Sequence, residues 1–227
     1  MSKKPKVCVS LVSKNFNQFK KEIQLYKKYS FSILEWRMDY FNDFFHFKEA
    51  LEFLFSSFSC PILLTFRTKK EGGQQEMTRQ DYICLYKYCI QHYPNCWIDL
   101  EYFMDCSEII TLAHQNRCRI VLSYHNFQKT PEKAELDILL KKMHQQRPDL
   151  CKIACMPHNK EDVLAVLLSG YDCHFPVVTI SMGELGKISR LIGGFFGSEW
   201  TFASIQEKSA PGQIECTQLN AFIHLLY

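Results

Sequence analysis

One lysine interrupts a segment that otherwise has the composition of a buried strand. The segment at 151–157, CKIACMP, is apolar apart from Lys152 and ends at Pro157. Burying a charged ammonium group costs several kcal/mol unless a partner or a function offsets that cost. A lysine among Cys, Ala and Met side chains is desolvated, which favours its neutral amine, and a neutral amine attacks carbonyl carbon atoms. Lys152 is therefore a candidate for the nucleophile that forms a Schiff base.

His125 and two arginines add the other groups that Schiff-base chemistry needs. Arg67 and Arg190 are expected near Lys152, where their positive charges further favour its neutral amine. An iminium on Lys152 acidifies the adjacent C–H group. A histidine, with an ordinary pKa of about 6.5, is suited to take that proton and to return one to a leaving hydroxyl. Because the arginines are suited to bind a carboxylate, the residues predict a Schiff-base lyase for a small anionic carbonyl compound.

The chain alternates short strand-like runs with amphipathic segments of helical period. Predicted strands occur at 6–12, 33–39, 61–67, 96–102, 119–125, 151–157, 176–182 and 200–205. Strict alternation predicts an α/β fold, with a parallel sheet and helices on its faces. Eight such units in 227 residues match a single-domain (β/α)8 barrel, the TIM barrel. A doubly wound open sheet is the alternative, but no Gly-x-Gly-x-x-Gly motif follows any predicted strand.

Local signals also predict two helix boundaries. The segment Thr130-Pro131-Glu132 is typical of a helix start, with Thr130 as the N-cap and proline in the first turn. Gly170 is typical of the residue that follows the last turn of a helix.

The ionisable residues concentrate at the predicted carboxyl ends of the strands, where barrels of this class bind ligands. Glu35, Arg37 and Asp39 alternate along the second strand and therefore share one face. Later strands are followed by Arg67, Glu71, Asp99, Glu101, His125 and Arg190. Any one of these residues alone is equally well explained as part of a structural ion pair or as a structural histidine. Their convergence at one end of a barrel favours a catalytic or ligand-binding site.

Charge and hydropathy exclude several other classes of protein. The formal net charge is +3, which is too small to indicate a nucleic-acid partner. No run of about 18 apolar residues is present, so no membrane span is expected. The N-terminus lacks the apolar region of a secretory signal, and residues 1–5 are expected to form a flexible basic tail.

Cysteine usage indicates the compartment. Eleven cysteines without an export signal favour the reducing cytoplasm, where cysteine serves as a small apolar residue. The best metal-ligand candidates, Cys84, Cys89, His92 and Cys96, have a spacing that matches no zinc framework. We expect no metal and no other cofactor, since an iminium supplies the electron sink that a metal would otherwise provide.

Eight short motifs along the chain resemble those of type I 3-dehydroquinate dehydratase. They are EWRMDYF at 35, TFRTKKEGGQ at 65, DLE at 99, LSYHNF at 122, KIACMP at 152, SMGELGKISR at 181, GSEWTFAS at 197 and SAPGQ at 209. Each motif alone is weak, but together they occur in order from the second strand to the last. The resemblance implies a barrel enzyme of the shikimate pathway that converts 3-dehydroquinate to 3-dehydroshikimate. The implied reaction is a syn elimination of water through a lysine Schiff base.

The same resemblance implies roles for individual residues. Lys152 would form the imine, His125 would be the general acid and base, and Glu71 would orient His125. Arg190 would bind the substrate carboxylate. The other substrate-binding residues would be Glu35, Arg37, Arg67, Ser10 and Met182, together with Ser209 and Gln213 from a mobile loop after the last strand.

Some features bear on how far the resemblance extends. Asn126 stands where the family usually has Asp, so a carboxylate next to His125 is missing. Five residues precede the predicted first strand, whereas longer relatives carry an N-terminal hairpin that closes the bottom of the barrel. Family members also occur fused to shikimate dehydrogenase, so the chain is either a whole protein or a domain of such a fusion. A homodimer is expected from the resemblance alone.

Two other functional classes remain open. A Schiff-base barrel of aldolase or transaldolase type also uses a strand lysine, and LIGGFFGS at 191–198 would then hold a phosphate. Against this alternative, SAPGQ and EGG match the dehydratase, and the glycines are more simply turn and packing residues. A non-catalytic binding module would have replaced Lys152, His125 or Glu71, and this chain retains all three.

Overall fold

Eight parallel strands form a barrel in the computed structural model, which describes residues 4–227. The strands are β1 (Lys6–Leu11), β2 (Ile33–Arg37), β3 (Ile62–Thr65), β4 (Trp97–Glu101), β5 (Arg119–Asn126), β6 (Leu150–Cys155), β7 (Val177–Ser181) and β8 (Trp200–Ser204). Strands pair in chain order from β1 to β7, and β1 also pairs with β8. A bridge between Val177 of β7 and Ser198, two residues before β8, closes the barrel. The predicted single-domain (β/α)8 barrel is confirmed.

Eight α-helices surround the barrel within residues 4–227. They are α1 (Phe16–Tyr26), α2 (Phe47–Ser57), α3 (Arg79–His92), α4 (Ser107–Gln115), α5 (Lys133–Gln145), α6 (Lys160–Tyr171), α7 (Lys187–Ile192) and α8 (Cys216–Leu226). Side chains of Asn15, Thr78 and Asn159 cap α1, α3 and α6 by accepting hydrogen bonds from backbone N–H groups of the first turn. Among these described residues, no helix combines the length and the apolar character needed to cross a membrane.

The two predicted helix boundaries are wrong. Helix α5 has Glu132 as its N-cap, and the Thr130 hydroxyl donates instead to the Met156 carbonyl at 3.0 Å. Gly170 lies inside α6 rather than after it. A Cβ atom at this position would come within 2.7 Å of the carbonyl oxygen of Phe196, so Gly170 permits close packing and does not end the helix.

The carboxyl ends of the strands differ from the prediction in detail. After β2 the chain turns at Met38–Tyr40, which takes Asp39 out of the strand, and Arg67 lies beyond the end of β3. A short strand that was not predicted, β9 (Ile214–Glu215), pairs in parallel with β8. It anchors the end of the loop 205–213 that follows β8. Of the predicted tail at 1–5, residues 1–3 lie outside the described residues, Lys4 is exposed and Pro5 is buried.

Apolar side chains fill both sides of the barrel wall. Inside the barrel, Cys8, Val121, Val178 and Trp200 belong to one buried cluster. The opposite face of each strand packs on the helices, and on β6 this outer set comprises Cys151, Ile153 and Cys155. Lys152 and Ala154 therefore point inward, as the alternation of strand residues predicts.

Candidate active site

The carboxyl ends of the strands surround a cavity that is partly open to solvent. Ten of the eleven predicted site residues line it: Lys152, His125, Glu71, Glu35, Arg37, Arg67, Arg190, Ser209, Gln213 and Met182. Ser10 does not line the cavity. It is fully buried, and its hydroxyl donates a hydrogen bond of 2.5 Å to Oε2 of Glu35.

Lys152 faces two carboxylates and one aromatic ring. Its Nζ donates to Oδ2 of Asp99 at 3.1 Å and lies 3.9 Å from Oε1 of Glu35. The same nitrogen lies 4.3 Å from the centroid of the Phe202 ring. The sequence predicted apolar neighbours and arginines around this amine, and that prediction missed the carboxylates. They belong to β2 and β4, which reach β6 only when the barrel curls.

Asp99 organises the charges beside the lysine. Its Oδ1 accepts hydrogen bonds from Nη2 of Arg67 at 2.7 Å and from the Ser123 hydroxyl at 2.6 Å. Complete burial acts to raise the pKa of Asp99, but the charges of Arg67 and Lys152 outweigh burial and hold that pKa below its ordinary value. Asp99 is therefore an anion at neutral pH and fixes the position of the Lys152 amine.

His125 and Glu71 form a buried pair. Nδ1 of His125 lies 2.9 Å from Oε2 of Glu71. Burial lowers the pKa of His125 well below 6.5, and the charges of Arg67 and Lys152 act in the same direction. Burial also raises the pKa of Glu71 to about 8, against the opposing charge of Arg67. The pair thus gives up its extra proton near pH 8, which leaves a carboxylate, an Nδ1–H donor and a basic Nε2.

Two of the three arginines that line the cavity already have carboxylate partners. Arg37 pairs with Asp39 through Nε and Nη2, at 2.7 and 2.8 Å. Arg67 pairs with Asp99 and also donates to Glu71 and Glu101, at 3.2 and 3.4 Å. Both guanidinium groups therefore hold the protein's own carboxylates in place.

Arg190 differs from the other two arginines. Its Nη1 and Nη2 donate to the backbone carbonyls of Phe202 and Pro211 at 3.3 and 3.2 Å, and within residues 4–227 no carboxylate pairs with it. Its Nε has no hydrogen-bond partner in this part of the chain. Burial without a counter-charge lowers the pKa of Arg190 to about 10. A buried cation of this kind beside a cavity is suited to bind an anionic ligand.

The loop after β8 covers the cavity. Ser209 and Gln213 bond to one another, with the Ser209 N–H donating to Oε1 of Gln213 at 2.8 Å. Nη1 of Arg37 donates to the Ser209 carbonyl at 3.4 Å. Gly212 has φ of +75°, a left-handed conformation that glycine adopts without strain. Arg37 and Arg190 thus both hold the loop over the cavity.

The side-chain hydrogen bonds of Asn126 go to groups other than the His125 ring. Its Oδ1 accepts from the backbone N–H groups of Gln128 and Lys129, both at 3.0 Å. Its Nδ2 donates to the Tyr124 hydroxyl at 2.9 Å. The side chain therefore shapes the turn after β5, and the Glu71–His125 pair is intact without a carboxylate at position 126.

Several buried residues support the site without having had a predicted role. The Thr65 hydroxyl donates to the carboxylate of Glu35 at 3.0 Å, and the Ser123 hydroxyl donates to that of Asp99 at 2.6 Å. The sequence signal for Thr65, Asp99, Glu101 and Ser123 is their position, because each is a polar residue at an inward-facing place in a strand. The supporting residues without a predicted role are Asp39, Thr65, Asp99, Glu101, Ser123 and Phe202.

Two of the glycines in the segment 191–198, Gly193 and Gly197, are explained by packing. Gly197 has φ of +86°, and a Cβ atom there would come within 2.8 Å of the Gly170 carbonyl. A Cβ atom on Gly193 would contact Ser198 at 3.3 Å. These contacts favour the turn and packing interpretation of this segment over a phosphate site.

Fold and site together define a (β/α)8-barrel enzyme that carries the groups used by Schiff-base lyases. Comparison with known proteins identifies the family. The family model for type I 3-dehydroquinase matches residues 7–227. The chain therefore belongs to the type I 3-dehydroquinase family, hydro-lyases that dehydrate 3-dehydroquinate in the shikimate pathway, and the predicted family and reaction are confirmed.

Individual relatives agree with this assignment. The chain is 38% identical to the 3-dehydroquinate dehydratase of Clostridioides difficile (strain 630), over 99% of this chain and 92% of the relative. It is 37% identical to the enzyme of Escherichia coli O9:H4 (strain HS), over 98% and 93%. A crystal structure of the type I enzyme from Clostridium difficile, with covalently modified comenic acid, matches with a TM-score of 0.92 and 36% identity. That match covers 98% of this chain and 92% of the other.

Proposed function

We propose that Lys152 forms the Schiff base with 3-dehydroquinate and that His125 is the general acid and base. The observation that supports this assignment is that three functional groups lie in the same cavity. The amine of Lys152, the ring of His125 and the uncompensated guanidinium of Arg190 all line one cavity. An amine, a proton carrier and an anion site are the groups that this dehydration requires.

The proposed sequence of steps follows from these groups. The Lys152 nitrogen attacks the ketone carbon, and loss of water gives an iminium. Nε2 of His125 removes a proton from the adjacent carbon, and the electron pair passes into the iminium. The protonated His125 then donates that proton to the hydroxyl that leaves as water, and a second water hydrolyses the imine. Glu71 holds Nδ1 of His125 throughout, which directs the exchange to Nε2.

Turnover is the direct test of the activity in this chain. The product has a double bond conjugated to its carbonyl group, so its formation is followed by ultraviolet absorbance. A rise in absorbance with 3-dehydroquinate supports the dehydratase, whereas binding of 3-dehydroquinate without turnover contradicts it. Cleavage of an aldol substrate in place of dehydration would favour the aldolase or transaldolase alternative.

The Arg190→Gln variant is expected to lose about 10²–10⁴-fold in kcat/KM, mainly through a higher KM. Two charge-assisted hydrogen bonds to the substrate carboxylate are lost, each worth about 1.5–3 kcal/mol. Since no carboxylate within residues 4–227 pairs with Arg190, its removal leaves no buried anion unpaired and is expected to lower the melting temperature less than Arg67→Gln does. Arg67→Gln is the contrasting variant, because it leaves Asp99 and Glu101 as buried carboxylates with a lost partner and destabilises the fold. Steady-state kinetics and thermal unfolding measure both effects, and an unchanged KM in Arg190→Gln contradicts the carboxylate assignment.

The Glu71→Gln variant is expected to change the pH dependence of kcat/KM. Burial raises the pKa of Glu71 to about 8, so the basic form of the Glu71–His125 pair accumulates as pH rises through 8. The wild-type rate should therefore rise with pH up to that value and then level. Glutamine does not titrate, and the pKa of His125 is lowered well below 6.5 by burial, so the rising limb should move below 6.5. If kcat/KM rose near pH 8 in both the wild type and Glu71→Gln, a group other than Glu71 would control the rate.

We also propose that the protein is a cytoplasmic homodimer in which residues 1–227 form one catalytic domain. All eleven cysteines are free, which is consistent with a reducing compartment. The homodimer rests on the family resemblance. Native mass measurement of the protein as produced in its own cell gives both the subunit mass and the oligomeric state, and a monomer contradicts the dimer.

A further inference from the structure

The ring of Phe202 faces the amine that is proposed to form the Schiff base. Nζ of Lys152 lies 4.3 Å from the ring centroid, within the range of a cation–π contact. Phe202 is 3% exposed and Lys152 is 5% exposed, so water is largely excluded from the contact. Desolvation strengthens a cation–π interaction relative to an exposed one.

The position of this ring is fixed by the barrel itself. Phe202 lies on β8, and it pairs in register with Cys8 of β1. Its carbonyl accepts a hydrogen bond from Arg190, and its ring is near that of Trp200, with centroids 6.5 Å apart. A ring on a central strand with these neighbours does not need to move when a ligand enters the cavity.

Imine formation changes the hydrogen bonds of the Lys152 nitrogen to carboxylates but preserves its contact with the Phe202 ring. An ammonium group has three N–H donors, which suit the carboxylates of Asp99 and Glu35. A protonated imine keeps its positive charge but retains one N–H, so hydrogen bonding to the carboxylates is reduced. The attraction between a cation and the face of a ring does not depend on N–H donors.

We infer that Phe202 stabilises the positive charge of the iminium on Lys152 and is thus a further catalytic residue of the dehydratase. The step concerned begins with the tetrahedral adduct of amine and ketone. Its hydroxyl accepts one proton from solvent water in the partly open cavity, the C–O bond breaks to release water, and the nitrogen lone pair forms the C=N⁺ bond. Relative to the neutral amine that attacks the ketone, the ring face lowers the energy of the cation that results. The inference rests on the proposed role of Lys152.

Fluorinated phenylalanines inserted at position 202 test the electrostatic role separately from the structural one. One, two and three ring fluorines weaken the negative face of the ring stepwise, with little change in its size. We expect log kcat/KM to fall steadily along the series, by about tenfold for the trifluorinated ring. The fraction of enzyme that borohydride traps as an adduct with 3-dehydroquinate should fall in parallel. The same trifluorinated residue at Phe19, a fully buried ring between α1 and the barrel, is the matched control and should leave both readouts unchanged.

The outcomes separate this inference from the proposed function. If borohydride does not trap wild-type enzyme on Lys152, the Schiff-base assignment itself is overturned. If the wild type is trapped and kcat/KM is constant across the fluorinated series, Phe202 has no electrostatic role and the inference is overturned. An equal loss at Phe19 and at Phe202 would also overturn it, since fluorination would then act through packing.

Discussion

Lys152→Arg is expected to abolish turnover, with kcat lowered by about 10⁴-fold or more. Arginine keeps a positive charge beside Asp99, but its guanidinium remains protonated and offers no amine that forms an imine. The second variant, Lys152→Met, removes both the charge and the nucleophile and should be equally inactive. The measurements are turnover by ultraviolet absorbance and the mass of the peptide containing residue 152 after borohydride reduction with 3-dehydroquinate. Neither variant should carry the added mass.

Lys160 provides the matched control for this experiment. It is an exposed lysine at the start of α6, so Lys160→Arg should retain both turnover and the trapped adduct on Lys152. An unmodified Lys152 in wild-type enzyme, under conditions in which turnover is observed, would contradict the Schiff-base mechanism. Full activity in Lys152→Arg would contradict it as well.

His125→Gln should lower turnover by about 10³–10⁴-fold while leaving the imine accessible to borohydride. Glutamine retains a hydrogen-bonding group for Glu71 but has no basic nitrogen, so it cannot remove the proton next to the iminium. Attack of the Lys152 amine on the ketone does not require that base. Trapping on residue 152 should therefore continue in a variant that barely forms product, and the two assays together locate the block after imine formation.

His158 serves as the control histidine, since it is exposed in the loop that follows β6. His158→Gln should have wild-type turnover and wild-type trapping. If His125→Gln lost trapping together with turnover, His125 would be required for imine formation, and its assignment to the later proton transfer would be wrong. Turnover near the wild-type rate in His125→Gln would show that another group carries the proton.

The barrel was predictable from the chain because its signals are local. Each strand is a short β-type run, and each helix repeats its apolar residues with a period that neighbouring residues set. The eight predicted strands therefore agree with the eight observed ones within two residues at either end. Strand β9 has two residues, too few to show any period, and its pairing with β8 depends on the path of the loop before it.

The helix boundaries show where local signals fail. Glycine is common just after the end of a helix, yet Gly170 lies inside α6 and lets the carbonyl of Phe196 approach that helix. Thr130 is a residue type common at N-caps, but its hydroxyl donates to the carbonyl of Met156, which directly follows β6. In both cases a contact distant in the chain overrides the local preference.

Ten residues that line the cavity were predicted from the sequence because their types and their positions near strand ends agree with one another and with the family motifs. The sequence alone did not show which arginine pairs with which carboxylate. Arg37 and Arg67 lie at or just beyond the ends of β2 and β3, and Arg190 lies in α7. In the folded protein two of them hold carboxylates of the protein, and Arg190 has none within the described residues.

The sequence by itself determined the fold class, the family and the residues that meet at the top of the barrel, because periodicity and motif order are properties of the chain. Only the tertiary structure decided the electrostatics of the site. Barrel closure brings Asp99 and Glu35 to the Lys152 amine, buries the Glu71–His125 pair and places the Phe202 ring against the same nitrogen. Distances and desolvation govern these interactions, and both arise only when strands far apart in the chain share one interior.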